Sequence, residues 1–352
     1  GQITGGYVHD VEAGLHPWIA VLDFKSMYPS IMIGNNVCYT TRIDPSHPEQ
    51  PAEADPTHVS PTEAVFWSAE HRKGLVPTLL EDLMNQRDEH KAQIKLARKD
   101  EQAEKEEFHD SMQYAVKIMM NSFYGVFASG FYRFTHKDLG SSITAWARQN
   151  IKTIIQKLED EGHHVVYSDT DSIFVCSPVP EGSPSVLKED DDEATIAAYE
   201  GAKQAMIDFG LDIAKQYSRD SAVLEYEKGL SVFFSHGAKK RYVGQVVYPS
   251  EEMLIRGYET QRTDSFEYLT TSMKKTFTYA LADEGEALVQ HARECVASLK
   301  NHSVDARRLI LAKSCKGRVQ SNGEVDFTKD YARPESMAQV RAAMILIDRG
   351  LG

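Results

Sequence analysis

The hexapeptide Tyr167-Ser168-Asp169-Thr170-Asp171-Ser172 is the feature that most constrains the fold of this 352-residue chain. Apolar residues flank it on both sides, Val165-Val166 before it and Ile173-Phe174-Val175 after it. This pattern predicts two short strands joined by a tight turn. Side chains two residues apart in an extended chain share a face, so Asp169 and Asp171 are placed to hold a divalent cation. The same residues also suit an ordinary polar hairpin tip, because Asp, Ser and Thr are common in turns.

A second candidate ligand follows an apolar run near the start of the chain. Trp18 to Leu22 is almost continuously apolar, which predicts a strand buried on both faces. The run ends in Asp23, and a carboxylate there is costly unless it is paired or bound to a metal. We therefore interpret Asp23 as the third carboxylate of the site, with a helix N-cap as the alternative.

The residues after Asp23 predict a turn and then a short helix. Pro29 should hold Tyr28 away from helical backbone, so the helix is expected from Ser30 onward. A strand, a carboxylate, a turn and a helix start form an arrangement in which backbone N–H groups face an anion.

Two long helices are predicted next. Pro77, interpreted as the first helical residue, starts a helix that runs to about residue 106. Asp110 and Gln113 resemble a capping box, which predicts a second helix from Asp110 to about Phe127.

These two helices carry cations and amides at helical spacing. Arg87 and Lys91 lie four apart on one face, although an isolated pair of this kind also suits a solvated helix surface. Lys117, Asn121 and Tyr124 form a polar stripe on a helix that is otherwise apolar, which indicates that they point into a site. Three cations on adjacent helices favour a triphosphate, because Arg and Lys make charge-assisted contacts with phosphate.

The remaining elements are predicted from composition and periodicity. Residues 44 to 64 are rich in Pro, Ser, His and acid, which is typical of a surface loop. The other expected elements are a helix over 141–160 behind the hairpin, a helix over 194–217, strands over 223–228 and 232–234, and helices from about 266 to the end.

A basic stretch points to nucleic acid. Lys239, Lys240 and Arg241 precede Tyr242 in what we predict to be a strand, and basic residues mixed with an aromatic suit a nucleic-acid backbone. The formal net charge is −13. The acid gathers in separate surface stretches, and local field decides where a polyanion binds, so this charge does not exclude a nucleic-acid partner.

Composition excludes several classes. With 41% apolar and 26% charged residues, the chain is typical of a soluble globular protein. It has no membrane-spanning apolar run and no secretion signal. The four scattered cysteines lack Cys-x-x-Cys spacing, which indicates reduced core residues and not a zinc or disulfide framework.

Four motifs, in this order, resemble those of the family B DNA polymerases, which are replicative-type enzymes. Among the members of this family, the sequence most resembles the archaeal ones. The family's Asp-x-x-Ser-Leu-Tyr-Pro-Ser-Ile is similar to residues 23–31, with Met27 in place of Leu. Its Lys-x-x-x-Asn-Ser-x-Tyr-Gly is similar to residues 117–125, its Tyr-x-Asp-Thr-Asp-Ser to residues 167–172, and its Lys-Lys-Arg-Tyr to residues 239–242.

The resemblance implies an α+β fold with three parts. These are a palm with an antiparallel β-sheet, two-helix antiparallel fingers, and a mainly helical thumb. The expected boundaries are 1–68 and 131–265 for the palm, 69–130 for the fingers, and 266–352 for a truncated thumb. On this view the chain is a fragment of a longer protein.

The resemblance also implies an activity and its cofactor. The activity is template-directed DNA synthesis, in which dNMP from a dNTP is added to a primer 3′-hydroxyl and pyrophosphate is released. Two Mg²⁺ ions, for which Mn²⁺ can substitute, would be held by Asp23, Asp171 and the carbonyl of Phe24, with Asp169 close by.

Further roles follow from the resemblance position by position. Tyr28 would exclude a ribose 2′-hydroxyl, and Tyr124 would pack near the nascent base pair. The residues expected to grip the triphosphate are Arg87, Lys91, Lys117 and Asn121, with the backbone N–H groups of Ser26 and Met27. The residues expected to hold primer-template DNA are Lys239, Lys240, Arg241, Tyr242, Arg256 and Arg262. Implied partners are primer-template DNA, dNTPs and a sliding clamp that binds sequence outside this chain, with no membrane. The implied location is the cytoplasm, at the nucleoid in a prokaryote.

Two rival functions are open at this point. A nucleotide-sugar transferase also uses Asp-x-Asp on a metal-bound diphosphate, but it needs neither the Lys117/Asn121 stripe nor the 239–242 cluster. A catalytically weak or inactive DNA-binding fragment derived from a polymerase is the other rival. Binding of a UDP-sugar without binding of DNA would favour the first, and loss of metal carboxylates would favour the second.

Overall fold

The structure is a computed structural model that describes residues 5–219, 222–258 and 265–351. Arg262, one of the residues predicted to bind DNA, lies outside the described residues. The chain divides into two compact units, Gly1–Ile255 and Arg256–Gly352.

The elements are numbered in chain order. The strands are β1 (Gly14–Phe24), β2 (Thr57–Val59), β3 (Val65–Trp67), β4 (Val165–Asp169), β5 (Ser172–Cys176), β6 (Leu224–Ser235), β7 (Tyr242–Tyr248), β8 (Glu252–Arg256), β9 (Arg318–Val319) and β10 (Val325–Asp326). The helices are α1 (Met27–Gly34), α2 (Leu75–Lys99), α3 (Ala103–Ala128), α4 (Lys137–Asp160), α5 (Glu193–Tyr217), α6 (Glu267–Leu281), α7 (Gly285–Lys300) and α8 (Ala338–Asp348).

A six-stranded sheet in the order β4-β5-β1-β6-β7-β8 forms the centre of the first unit. β1 pairs antiparallel with β5 on one side and with β6 on the other. The predicted hairpin at 165–176 is confirmed as β4 and β5, with Asp169 opposite Ser172. The α+β class with an antiparallel sheet is therefore confirmed.

Both faces of this sheet are buried, as the apolar run 18–22 predicts. Along β5, Ile173 and Val175 belong to one core cluster and Phe174 to another, because alternate side chains of a strand point to opposite faces. The first cluster includes Ile143, Ile151 and Leu158 of α4, and α5 covers β1 and β6. The helices predicted over 141–160 and 194–217 are confirmed, as is the position of the first one behind the hairpin.

The boundaries predicted for the two long helices are wrong. Pro77 is the third residue of α2, a position where its missing N–H is harmless because first-turn N–H groups have no partner within the helix. α2 ends at Lys99, and α3 begins at Ala103 after a short turn. Asp110 is inside α3, where its carboxylate accepts a hydrogen bond from Gln113 Nε2 at 3.0 Å, so this pair is not a capping box.

The two helices form an antiparallel hairpin. Arg98 near the end of α2 pairs with Glu106 near the start of α3 (Nη2–Oε1, 2.6 Å). Farther from the turn, Arg87 Nε donates to Gln113 Oε1 at 3.3 Å. From the first contact to the second, the residue number falls on α2 and rises on α3, so the two helices are antiparallel.

α1 also begins earlier than predicted. Tyr28 and Pro29 lie in its first turn, and Ser26 immediately before it adopts a left-handed conformation (φ 45°). The left-handed turn, and not Pro29, separates strand from helix, since Pro is tolerated in the first helical turn.

Three other predictions need correction. Residues 44–64 are not entirely loop, because β2 lies there and pairs with β3. The two strands predicted over 223–228 and 232–234 are one strand, β6 (Leu224–Ser235), because pairing with β1 continues past Gly229. Lys239 to Arg241 form a turn before β7 and are not part of a strand, and Lys240 has a positive φ of 63°.

The second unit is helical only in part. α6 and α7 agree with the prediction, but residues 301–337 contain 3-10 turns and the two-residue strands β9 and β10 before α8 begins. Arg308 Nε bonds Glu267 Oε1 at 2.9 Å, which ties the segment after α7 to the start of α6. The prediction of continuous helices from 266 to the end is therefore wrong.

The sequence predicts no membrane-spanning segment, and it predicts reduced cysteines in the core. Within the described ranges no helix is both long enough and apolar enough to cross a membrane. The four cysteines are free thiols; Cys38 is buried, whereas Cys315 is exposed, so the expectation of core cysteines fails for Cys315.

The packing of α5 on β6 yields a test of the fold. A methyl group added at Gly210 would overlap the ring of Tyr226, whereas one added at Gly201 on the same helix would enter open space. We expect Gly210→Ala to lower the free energy of unfolding by about 1–3 kcal/mol through overpacking. Gly201→Ala should raise it by about 0.5–1 kcal/mol, since Ala is the better helix former.

Urea denaturation of the two variants beside the wild type measures both effects. Equal stability changes of the same sign would contradict this account of the α5–β6 contact.

Candidate active site

The backbone of the sheet brings Asp23 and Asp171 together. Asp23, near the end of β1, is directly opposite Ser172 at the start of β5. Next to it, the Phe24 N–H donates to the carbonyl oxygen of Asp171 at 2.8 Å. The carboxylate that ends one strand therefore lies beside the turn of the adjacent hairpin, as predicted.

Both carboxylic acids are hard to ionise in this position. Burial raises the pKa of Asp23 to about 8, and the negative charges of Asp171, Glu227 and Glu225 act in the same direction against the opposing charge of Lys117. Burial is also the main cause that raises the pKa of Asp171, with Asp169 and Glu227 adding to it. Adjacent carboxylates in a partly desolvated site of this kind favour a cation between them.

The donors fit a hard divalent cation. Carboxylate and carbonyl oxygens are the ligands that Mg²⁺ prefers, and it takes few of them because it keeps several waters. In the ranges that the structure describes, no group of three or more His, Cys, Asp or Glu side chains is arranged to hold a metal. Asp23 and Asp171 are therefore a partial set of ligands.

Asp169 points to a different partner. Its Oδ1 atom lies 3.1 Å from Lys240 Nζ and accepts a hydrogen bond from Thr170 Oγ1 at 3.0 Å. The backbone N–H of Lys240 donates to the hydroxyl of Tyr167 at 2.9 Å. The hairpin and the basic turn are thus joined by an ion pair and a hydrogen bond.

The hairpin tip is also held from the N-terminal side. The Thr170 N–H donates to the Tyr7 carbonyl at 2.8 Å, and Val8 forms a bridge with Asp169. A Cβ at Gly6 would lie 2.9 Å from Thr170 Cγ2, so a glycine is needed for this approach. These contacts fix the position of Asp169 relative to Asp171.

The cations predicted on α2 and α3 lie near these carboxylates. Arg87 is 8% exposed, and its Nη1 atom donates to Ser26 Oγ at 3.2 Å. Lys91 Nζ is 3.7 Å from Glu225 Oε1. Burial lowers the pKa of Lys91, and the charge of Glu225 opposes that change. Lys117 acts electrostatically on both Asp23 and Asp171. The structure therefore places Arg87 at the start of α1 and Lys91 beside β6. Lys117 lies near the carboxylates.

The surroundings of Lys117 and Asn121 differ from the prediction. Both residues are exposed, and so are the adjacent Ile118 (53%) and Met119 (52%). α3 is amphipathic, with Val116, Met120 and Phe127 as its buried residues. The predicted stripe therefore lines an open surface and not a buried pocket.

Tyr28 and Tyr124 form an aromatic pair at the site. Their ring centroids are 4.3 Å apart. Burial raises the pKa of Tyr28 to about 12, with Tyr124 and Asp171 contributing, so its hydroxyl stays neutral. The two residues join α1 to α3 next to the carboxylates.

The start of α1 is the other predicted anion contact. Ser26 makes no side-chain cap for the helix, and its hydroxyl accepts the hydrogen bond from Arg87. The first-turn N–H groups, including that of Met27, have no partner within a helix, which suits them to an anion.

The residues predicted to bind DNA fall into different environments. Lys239 Nζ is 2.9 Å from Asp10 Oδ1, and the exposed Lys240 pairs with Asp169. Tyr242 is 9% exposed, with its ring packed against Tyr167, Phe174 and Phe233 in the core. A contact between the Tyr242 ring and DNA is therefore not available in this conformation. Arg256 is exposed at the end of β8.

Sequence reasoning missed several residues of the site. Glu225 and Glu227 alternate along β6 and lie close enough to raise the pKa of Asp23. Their spacing in the segment 224–227 was visible, but only the pairing of β6 with β1 places them here. Gln113, which accepts from Arg87, and Lys25, which pairs with Asp88 at 2.7 Å, were also missed.

The raised pKa of Asp23 predicts how stability depends on pH without metal. The unfolded carboxyl has a pKa near 3.8 and the folded one near 8, so between these values the native state binds the extra proton. Stability should therefore fall as the pH rises from 4 to 8, by up to about 1.4 kcal/mol per pH unit for one group.

Asp23→Asn removes this titration. In EDTA, the variant's unfolding free energy relative to the wild type should rise steadily over that pH range, which urea denaturation at several pH values would measure. Asp212→Asn on the exposed face of α5 is the control. A pH-independent difference would show that Asp23 ionises normally.

Comparison with known proteins agrees with the fold and the motifs. The profile of DNA polymerase family B matches residues 1–326. DNA polymerase 2 of Aeropyrum pernix is 29% identical over 89% of this chain and 35% of its own length. DNA polymerase II of Escherichia coli is 30% identical over 86% of this chain and 36% of its own length. The DNA polymerase delta catalytic subunit of Bos taurus is 30% identical over 84% of this chain and 26% of its own length.

A solved structure shows the same fold. The family B DNA polymerase from the archaeon Pyrobaculum calidifontis superposes with a TM-score of 0.64 over 98% of this chain and 39% of that chain, at 24% identity. The chain thus spans about a quarter to a third of the length of these relatives, which include archaeal, bacterial and eukaryotic proteins. The profile match along residues 1–326 shows that this chain belongs to DNA polymerase family B.

Proposed function

We propose that this chain carries the synthetic site of a DNA polymerase, which adds dNMP from a dNTP to a primer 3′-hydroxyl and releases pyrophosphate. The observation that supports it best is the closeness of the half-buried carboxyl group of Asp23 to the exposed Asp171, both with raised pKa values, beside the cations of α2 and α3. A site of this composition suits a metal-bound triphosphate.

The proposed domains follow the motifs. Residues 1–68 and 131–265 form the palm, 69–130 the fingers, and 266–352 part of the thumb. Support comes from the antiparallel α2–α3 hairpin within 69–130 and from the six-stranded sheet, which carries Asp23 on β1 and Asp171 in the turn between β4 and β5. The boundary between the compact units lies at Ile255/Arg256, slightly before the proposed palm–thumb boundary.

Asp23 and Asp171, with the main-chain carbonyl of Phe24, would hold two Mg²⁺ ions, or Mn²⁺ in their place. Bound there, the metal ions would supply charge neutralisation for the phosphates and a lower pKa for the attacking hydroxyl. Asp169 would lie close to the metal ions without binding them directly. Its ion pair with Lys240 holds it beside Asp171.

The triphosphate would be held by this chain's own cations and N–H groups. Arg87, Lys91 and Lys117 supply positive charge, Asn121 supplies an amide, and the N–H groups of Ser26 and Met27 lie at the start of α1. Arg87 is already anchored to Ser26 and Gln113, so it requires little reorganisation to meet an anion.

Tyr28 and Tyr124 would define the sugar and base positions. The Tyr28 ring is braced by Tyr124, so it can exclude the extra oxygen of a ribose by contact alone. Tyr124 would then lie beside the nascent base pair.

Primer-template DNA would bind along the basic turn and the end of β8. Lys239, Lys240 and Arg241 would contact phosphates, whereas Tyr242 would support the turn from the core. Arg256 and Arg262 complete the predicted set. A sliding clamp as a further partner, and a location with DNA in the cytoplasm or nucleoid, remain proposals for the whole protein.

Primer extension tests the reaction and the sugar gate. With Mg²⁺ and dNTPs, Asp171→Asn should lower the extension rate about 10²–10³-fold or more, because a group that supports charge in the transition state is lost. Asp212→Asn should extend as the wild type does. Tyr28→Ala should raise the relative use of ribonucleotides about 10–100-fold, while Tyr28→Phe, which keeps the ring, should not.

Extension that survives Asp171→Asn would contradict the assignment of the site. Magnesium-dependent dNTP binding without extension by the wild type would favour the second candidate, a weak or inactive DNA-binding fragment.

Lys240 yields a separate test of the DNA surface. Each phosphate contact contributes to the slope of log K against log salt concentration, so Lys240→Ala should reduce that slope by about 1. Lys215→Ala, an exposed lysine of α5, is the matched control and should leave the slope unchanged. Fluorescence anisotropy of a labelled primer-template over a salt series measures both. An unchanged slope in Lys240→Ala would remove Lys240 from the DNA surface.

A further inference from the structure

Two histidines that have no place in the site described above face each other across the helical hairpin. His90 lies on α2 and His109 on α3, and their Nδ1 atoms are 2.9 Å apart. The ring centroids are separated by 5.2 Å, and both rings are half-buried. The proposed polymerase chemistry assigns no role to this pair.

The short distance is that of a hydrogen bond between the two rings. Two Nδ1 atoms this close share one hydrogen, so one ring donates from Nδ1 and the other accepts with its lone pair. The accepting ring carries its own hydrogen on Nε2. The two imidazole nitrogens therefore lie next to each other between the helices.

We propose that His90 and His109 form a chelate for a divalent transition-metal ion such as Zn²⁺, Ni²⁺ or Cu²⁺. Metal–imidazole bonds are about 2.0–2.1 Å long, so two nitrogens on one ion lie about 2.9 Å apart at a right angle and about 3.3–3.4 Å apart at the tetrahedral angle of Zn²⁺. Imidazole is a preferred ligand of these ions and not of Mg²⁺. The pair consequently selects a different metal from the carboxylate site.

Binding requires a change of tautomer and a rotation of the two rings that turns both Nδ1 lone pairs toward one ion. The ring that donates must release its Nδ1 proton to water and take one on Nε2, after which both rings present a lone pair at Nδ1. Both rings stay neutral, so binding releases no net proton. The metal ion exchanges some of its bound water for the two nitrogens.

Water completes the coordination. Among the described residues no third His, Cys, Asp or Glu joins the two rings in a metal-binding cluster. The acidic neighbours on α3 have other partners: Glu106 bonds Arg98, and Asp110 accepts from Gln113. The expected site therefore has two protein nitrogens, one from His90 and one from His109, and moderate affinity. We call this site the clip.

The location gives the clip a structural effect. His90 is three residues from Arg87, and His109 is four residues from Gln113, so both pairs join the same two helices one turn apart. A metal bound by one side chain from each helix would fix their register next to Arg87.

Thermal unfolding with Zn²⁺ as the only added metal tests the clip. A saturating concentration should raise the Tm of the wild type by about 2–4 °C, because a ligand that binds the folded state stabilises it. His90→Gln and His109→Gln should each weaken Zn²⁺ binding at least about tenfold by calorimetric titration and reduce the Tm shift.

Two controls separate this site from others. His302→Asn removes an exposed histidine at a left-handed position that Asn tolerates, and the Zn²⁺ response should persist. The response should also persist in Asp171→Asn, which separates the clip from the carboxylate site and from the proposed polymerase activity. A response lost in Asp171→Asn but retained in both histidine variants would overturn the proposal.

A measurement on the wild type alone avoids the question of whether the variants fold. Zn²⁺ should slow hydrogen exchange in residues 86–113 more than elsewhere, since the ion joins two helices there. Uniform or absent protection of that segment would overturn the proposal.

Discussion

The closeness of the carboxyl groups of Asp23 and Asp171 is the constraint on which the site depends. Partial desolvation raises the pKa of both groups, and the charge of Asp171 raises that of Asp23 further, so their closeness opposes ionisation. The backbone hydrogen bond from Phe24 to Asp171 and the pairing of β1 with β5 hold the two residues together. The rest of the sheet makes these strands rigid by burying both of their faces.

The surrounding elements meet the resulting negative charge in different ways. α2 and α3 bring cations toward it, and Lys91 reaches Glu225 on β6. The turn before β7 brings Lys240 to Asp169. Each of these lysines has a carboxylate partner within the protein, so a phosphate that approaches must compete with that partner. Binding of a polyanion would thereby change the charge felt by the carboxylates.

The aromatic residues have a related structural role. Tyr28 and Tyr124 hold α1 against α3, and Tyr167 and Tyr242 hold the hairpin against the start of β7. Rings suit this task because they fill a large volume with few rotatable bonds. The charged groups of the site are therefore carried on elements whose relative positions are fixed by packing.

The sequence by itself determined the hairpin with Asp169 and Asp171, the buried strand before Asp23, the helices α4 and α5, and the family. These follow from local patterns: apolar runs of strand length, helical periodicity, and motifs at fixed spacing. Only the tertiary structure decided that β6 continues past Gly229, that Glu225 and Glu227 join the site, and that Asp169 faces Lys240. Those features depend on which strands become neighbours. The periodicity of a segment tells which of its faces is buried, but it does not tell what lies against that face.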